Sequence, residues 1–122
     1  AYTRLILNEL GTIEPTYYQH GARYLAGSGT DVWGTLPGVS LHTELELLHT
    51  HIGLSRREAI AAATTNFAEA FGWKTGRIAP GYAAHVLLLN SNPLDDLANL
   101  TDIHQLWLNG ALIDRGGLLR QD

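Results

Sequence analysis

Two histidines stand two residues apart in the stretch LLHTHIGLS, at His49 and His51. A His-x-His pair is a common way for a hydrolase to begin holding a catalytic metal, because neutral imidazole is a good ligand for zinc and its neighbours. Whether two such rings can share one ion depends on the element that carries them. Residues i and i+2 point the same way on a strand, but on a helix they diverge by about 160°. Leu41, Leu45, Leu48 and Ile52 recur at spacings of four, three and four, which is one helical face. The pair therefore belongs to a helix, and its rings cannot converge on one ion from their own element.

His42, Glu46 and His49 are better spaced. Intervals of four and three place them on one helical flank, where a carboxylate between two imidazoles would make a weak surface metal site. The plainer reading is a polar flank with an ordinary helical ion pair. Asp31 ends the stretch RYLAGSGTD, a short β-prone run that breaks into a Gly-Ser-Gly turn. An acid at the end of a strand sits where barrel enzymes place catalytic carboxylates, although a turn-capping aspartate would look the same. Asp95, Asp96 and Asp102 read as a solvated turn between strands. Ser28 has no histidine at a triad spacing, and the glycines around it lack the lysine and helix start of a phosphate loop.

The elements that must position these groups are legible from pattern. Leu5, Ile6, Leu7 and Leu10 predict the end of a buried helix stopped by Gly11. Pro15 opens a second helix towards Ala22, and residues 23–26 read as a strand. The glycine- and proline-rich stretch VWGTLPGVS is a loop. Ser40 is expected to cap the next helix, which Gly53 ends. Ser55 and Glu58 form a capping-box pattern opening one alanine-rich helix up to Gly72. The period then changes: AAHVLLLN reads as a buried strand, NSNPLDDL as a polar turn, and Asn109-Gly110 as the turn of a β-hairpin.

The chain has 122 residues, 45% hydrophobic and 16% charged, with a formal charge of −4 and no cysteine. That is the balance of one globular domain. It offers no basic footprint for nucleic acid or anionic membrane, no thiolate chemistry and no apolar run that spans a bilayer. The first four residues do not read as a signal peptide, which leaves the cytoplasm as the default expectation.

Over residues 19–115 the chain resembles the C-terminal part of the amidohydrolase superfamily, most closely its imidazolonepropionase-like and prolidase-like branch. The resemblance is carried, in order, by LAGSGTD, GVSLHTELELL, GLSRREAIAAATTNFAEAFG, GRIAPGYAAHVLLLN and SNPLDDLANL. It implies an α/β fold: the last βα elements of a (β/α)8 barrel over residues 1–76, then the C-terminal strands of a small β-sandwich domain over 77–122. It further implies zinc or another divalent metal at the barrel mouth and hydrolysis of an amide or peptide-like C–N bond. Asp31 matches the family's last-strand aspartate, which binds metal and takes the proton of the attacking water. Val32 and Trp33 would then lie near the substrate.

The departures from the family are as informative. Its metal-binding His-x-His precedes the other site residues, whereas His49-Thr50-His51 follows Asp31. His85 and Asn90 stand where the family usually has acidic residues, at positions of the β-domain. A barrel of this type needs roughly 250 residues. The expectation is therefore a C-terminal fragment that is inactive alone and binds no metal of its own. Its partners would be the N-terminal portion of the same enzyme or a second copy meeting unpaired strand edges. A small amide or dipeptide would be the parent's substrate. The alternative is a stand-alone, non-catalytic α+β interaction module derived from a barrel tail.

Overall fold

The computed structural model describes residues 13–30 and 34–118. Helix α1 is described over residues 13–19, and a segment with neither helix nor strand follows over 22–29. Three helices come next: α2 (Val39–Leu47), α3 (Arg56–Ala62) and α4 (Thr65–Phe71). A three-stranded antiparallel sheet completes the fold, in the order β1 (Val86–Leu89), β2 (Ile103–Leu108) and β3 (Ala111–Leu112). A 3-10 helix, Leu97–Thr101, lies between β1 and β2, and a short helix α5 (Arg115–Leu118) follows β3. The buried N-terminal helix expected up to Gly11 lies outside the described residues.

α2 begins two residues earlier than a cap at Ser40 would place it. Gly38, with φ 76°, makes the turn into the helix, and Ser40 sits inside the first turn. There the Ser40 hydroxyl accepts the Leu36 amide at 2.7 Å while its own amide donates to the Leu36 carbonyl at 3.1 Å. The helix also ends differently, opening into a π-helical turn over Leu48–Ile52 that Gly53 closes at φ 96°. The Thr50 hydroxyl donates to the Glu46 carbonyl at 2.7 Å, one of the groups an α-helical end leaves unpaired.

The Ser55–Glu58 capping box forms in both directions. The single helix expected after it is instead two, broken at Ala63 and Thr64. Thr64 takes φ −134° and ψ −89°, and its hydroxyl donates to the Ile60 carbonyl at 2.8 Å. Gly76 packs against this break so closely that a Cβ there would stand 2.5 Å from the Thr64 carbonyl oxygen.

The core gathers Leu45 and Leu48 of the predicted stripe with Ala26, Leu54, Ala59, Ala62 and Leu97. Leu41 and Ile52 pack on its edge. Ala59 and Ala62 are fully buried, and their small side chains let the segment before α2 approach α3. Leu97 enters from the 3-10 helix, and burying a leucine contributes about 1.5–3 kcal/mol. The polar turn of the sequence thus conceals a core anchor.

Residues 23–26 make no strand pairing among the described residues. The Ala26 amide donates to the Ala62 carbonyl at 3.0 Å, which ties the segment to the end of α3. A strand requires a neighbouring strand, and none is described here.

The hairpin forms as expected. Asn109 and Gly110 both have positive φ, 51° and 78°, as a two-residue type I′ turn requires. β1 pairs β2 in the register Val86↔Trp107 to Leu89↔Ile103, with an irregularity between Leu88 and Leu89. Alternation along these strands puts Leu88 and Leu112 on one face, and Leu87 and Leu108 on the other. All four are between 44% and 58% exposed, so the described residues cover each face of the sheet only in part.

Candidate active-site loop and cleft

The loop that follows residues 23–26 is closed on itself. The Thr35 hydroxyl donates to the Gly29 carbonyl at 2.8 Å, and Ser28 and Thr30 share a hydroxyl–hydroxyl bond of 2.7 Å. Gly29 and Gly34 both take positive φ, 57° and 91°, which glycine adopts at little cost. Asp31, Val32 and Trp33, the residues between these clasps in sequence, lie outside the described residues.

The segment leading into the loop is anchored on three sides. Besides the Ala26–Ala62 bond, the Asn66 side-chain amide donates to the Tyr24 carbonyl at 2.9 Å. The Tyr24 hydroxyl donates to the Glu14 carbonyl oxygen at 2.7 Å and lies 3.0 Å from its carboxylate. Burial, then the Glu14 hydrogen bond and charge, pushes the Tyr24 phenol up to about 12. Arg23 reaches Asn66 at 3.0 Å and Glu69 at 2.6 Å, and Arg77 takes the other oxygen of Glu69. These two arginines hold the Glu69 carboxyl below its ordinary value through hydrogen bonds first and charge second.

Beside the loop lies an open cleft of about 240 Å³, whose walls include Ser28, Thr35, Ser40, Thr43 and Glu44. Four hydroxyl-bearing residues contribute to these walls, and among the described residues Glu44 is the one carboxyl. Glu44 is half-buried; burial first, and the charge of Glu14 second, raise its pKa. The sequence reading did not single out Glu44. A signal was present, because Glu44 stands three residues after Leu41 and immediately before Leu45, on the shoulder of the apolar stripe.

The histidines are dispersed. His49 Nδ1–H donates to the Leu54 carbonyl at 2.7 Å, beyond the end of the π-helical turn. Since Thr50 gives its own proton to Glu46, His51 Nδ1–H donates to the Thr50 hydroxyl at 2.8 Å. His42 is exposed on α2. Among the described residues no three His, Asp or Glu side chains are grouped as metal ligands, and His42, Glu46 and His49 are not gathered into a site. A catalytic zinc normally takes three protein ligands and a water, so the described residues do not by themselves fit one.

Asp96 caps the 3-10 helix by accepting the Ala98 amide at 2.9 Å. Asp102 accepts the Asn90 side chain at 2.7 Å and the Ser91 hydroxyl at 3.3 Å. These acids close turns. No helix among the described residues is long and apolar enough to cross a membrane.

Residues 17–113 match the amidohydrolase family, and the chain belongs to it. The chain is 33% identical over 96 residues to ochratoxinase of Aspergillus niger, covering 74% of this chain and 19% of that protein. An adenine deaminase of Oceanobacillus iheyensis is 42% identical over 67 residues, covering 53% of this chain and 10% of the deaminase. Among solved structures, a protein designated a prolidase from Bifidobacterium longum superposes with a TM-score of 0.78 at 31% identity. That match covers 87% of this chain and 26% of the other. The A. niger ochratoxinase structure gives a TM-score of 0.76 at 25% identity, over 89% and 25% of the two chains. The chain thus spans about a fifth of the length of the ochratoxinases it matches.

Proposed function

We propose that this chain is the C-terminal part of a metal-dependent hydrolase that cleaves amide or peptide-like C–N bonds, and that alone it is inactive. The observation that carries the reading is the amidohydrolase family match over residues 17–113, a range that includes Asp31, supported by the 33% identity to ochratoxinase across 74% of the chain. In this reading residues 1–76 supply the closing elements of a (β/α)8 barrel and residues 77–122 the last strands of an accessory β-domain. Asp31 is the one metal ligand the chain contributes, and the remaining ligands of a zinc or other divalent ion come from earlier barrel strands. A bound divalent ion would supply the polarisation that makes water nucleophilic near neutral pH.

What this chain's residues do is narrower. The Asp31 carboxylate accepts the proton of the attacking water and passes it to the leaving nitrogen, work suited to an acid between the two groups. The Thr35–Gly29 bond ties the two ends of the loop carrying that acid. Val32 and Trp33, adjacent in sequence, border the bound substrate.

The test is a chimera in which residues 17–113 replace the matching segment of A. niger ochratoxinase. Metal-dependent amide hydrolysis that disappears with Asp31→Asn is the expected result. A folded, metal-loaded chimera whose activity is untouched by Asp31→Asn would overturn the assignment.

A further inference from the structure

Two groups flanking the break between α3 and α4 hold the backbone of residues 24–26, which leads into the Asp31 loop. In an unbroken helix the Ala62 carbonyl would accept the amide of Asn66, four residues on. Because α3 stops at Ala62 and α4 starts at Thr65, that carbonyl takes the Ala26 amide at 3.0 Å. Asn66 contributes through its side chain, whose amide donates to the Tyr24 carbonyl at 2.9 Å. The orientation of that side chain is forced. A guanidinium only donates, so the end of the Asn66 amide that meets Arg23, at 3.0 Å, is the oxygen. The nitrogen is left for Tyr24, whose carbonyl can only accept. Arg23 is itself held by Glu69 at 2.6 Å.

We propose that Asn66 is a positioning residue for the hydrolytic reaction. Together with the Ala62 carbonyl it fixes the backbone at Tyr24 and Ala26, and so sets where the loop presents the Asp31 carboxylate. This rests on the function proposed above, in which Asp31 moves the proton, and adds to it a residue that does not touch the substrate. Every partner in the clamp belongs to this chain, so the contact forms whatever precedes or follows it. Two bonds define direction as well as place, whereas a single anchor would let the segment pivot. The side chain must also be an amide. A carboxylate there would still satisfy Arg23, but it has no proton to give the Tyr24 carbonyl.

The folded, metal-loaded chimera carrying residues 17–113 tests the proposal through Asn66→Asp. This change keeps the size of the side chain and an acceptor for Arg23 while removing the donor to Tyr24. The expected kcat is lower by about 10- to 100-fold, the penalty of a small misplacement, with KM changed by less than about twofold. Amides of residues 24–27 should exchange about fivefold faster, the effect of one lost hydrogen bond. Ser55→Ala, which weakens the other end of α3, should leave kcat as it was, and so separates positioning from general stability. A folded Asn66→Asp chimera that retains its kcat would overturn the proposal. So would an equal loss of kcat in Ser55→Ala, or a loss in Asn66→Asp with no change in exchange at residues 24–27. Asp31→Asn keeps the two readings apart. If activity survives that change, the function assigned to Asp31 falls and the role of Asn66 with it. Activity lost with Asp31→Asn but kept with Asn66→Asp removes the role of Asn66 alone.

Discussion

The Tyr18 hydroxyl and the Glu58 carboxylate, forty residues apart, are joined at 2.9 Å through Oε2 of the glutamate. The same oxygen accepts the Ser55 amide at 2.8 Å and the Ser55 hydroxyl at 2.6 Å. A local helix cap is thereby tied to α1. Hydrogen bonds from the Ser55 side chain, the Ser55 backbone and Tyr18, in that order, hold the Glu58 carboxyl below its ordinary value. A carboxyl depressed by folding adds stability above its unfolded pKa and loses it as pH falls through the folded one. Ser55→Ala should therefore cost about 1 kcal/mol near neutrality, and Tyr18→Phe, at a solvent-exposed bond, should cost less. Urea unfolding at pH 7 and pH 3 should show both penalties shrinking in acid. Equal penalties at both pH values would mean that the shared oxygen is not what links the two elements.

Gly76 should be among the least replaceable residues. Its φ is 74°, and an added Cβ would lie 2.5 Å from the Thr64 carbonyl oxygen and 2.7 Å from its carbon. Both atoms are backbone, so no side chain can swing aside. Gly76→Ala should lower stability by about 2–4 kcal/mol, combining left-handed strain with overpacking. Gly81, whose φ is 80° and whose Cβ would meet nothing within 4 Å, should tolerate alanine better. Similar midpoints for the two variants in chemical denaturation would contradict the close approach at Gly76.

This contrast shows what the sequence could convey. The leucine stripe of α2, the Ser55 box and the Asn109-Gly110 hairpin were legible because each depends on residues within one element. The break at Thr64 was not, since it answers to Gly76 twelve positions away, and helix propensity alone runs straight through it. Ser40 looked like a cap, but Gly38 sets the helix start through its backbone. Residues 23–26 have strand-like composition, yet strand pairing depends on a neighbour that local pattern does not reveal. At the candidate site, the loop glycines were visible in advance, whereas Glu44 was obscured by its leucine neighbours.

Tyr24 should ionise late. Its phenol is pushed up to about 12, first by burial and then by Glu14, so folding favours the neutral form. That contribution is complete below the ordinary value near 10 and disappears as pH rises through the folded one. In an absorbance titration near 295 nm, Tyr24 should be the last of the five tyrosines to ionise, with Tyr18 also raised by its hydrogen bond to Glu58, and Tyr24→Phe should remove the latest step. A latest step that persists unchanged in Tyr24→Phe would assign it to another phenol. Loss of the Tyr24–Glu14 bonds should also loosen the segment leading to the Asp31 loop, visible as faster amide exchange at Ala26.

Glu44 carries the opposite sign from Glu58. Burial raises its pKa, with Glu14 adding like-charge repulsion, and no described side chain is hydrogen-bonded to it or paired with it. A carboxyl raised by folding contributes most below its unfolded pKa and loses that contribution as pH rises through the folded one. Near neutrality the charged form is therefore a burden on the fold. Glu44→Gln should stabilise the chain at pH 7, by about 0.5 kcal/mol or less given the solvent reaching the cleft. At pH 3 the gain should vanish, because both side chains are then neutral. Thermal unfolding of the two proteins at both pH values makes the comparison. A loss of stability at pH 7 would show that the carboxylate has a partner holding it in place, and the cleft would then be a closed structural contact. A gain would mark the Glu44 carboxylate as a cost to the fold near neutral pH.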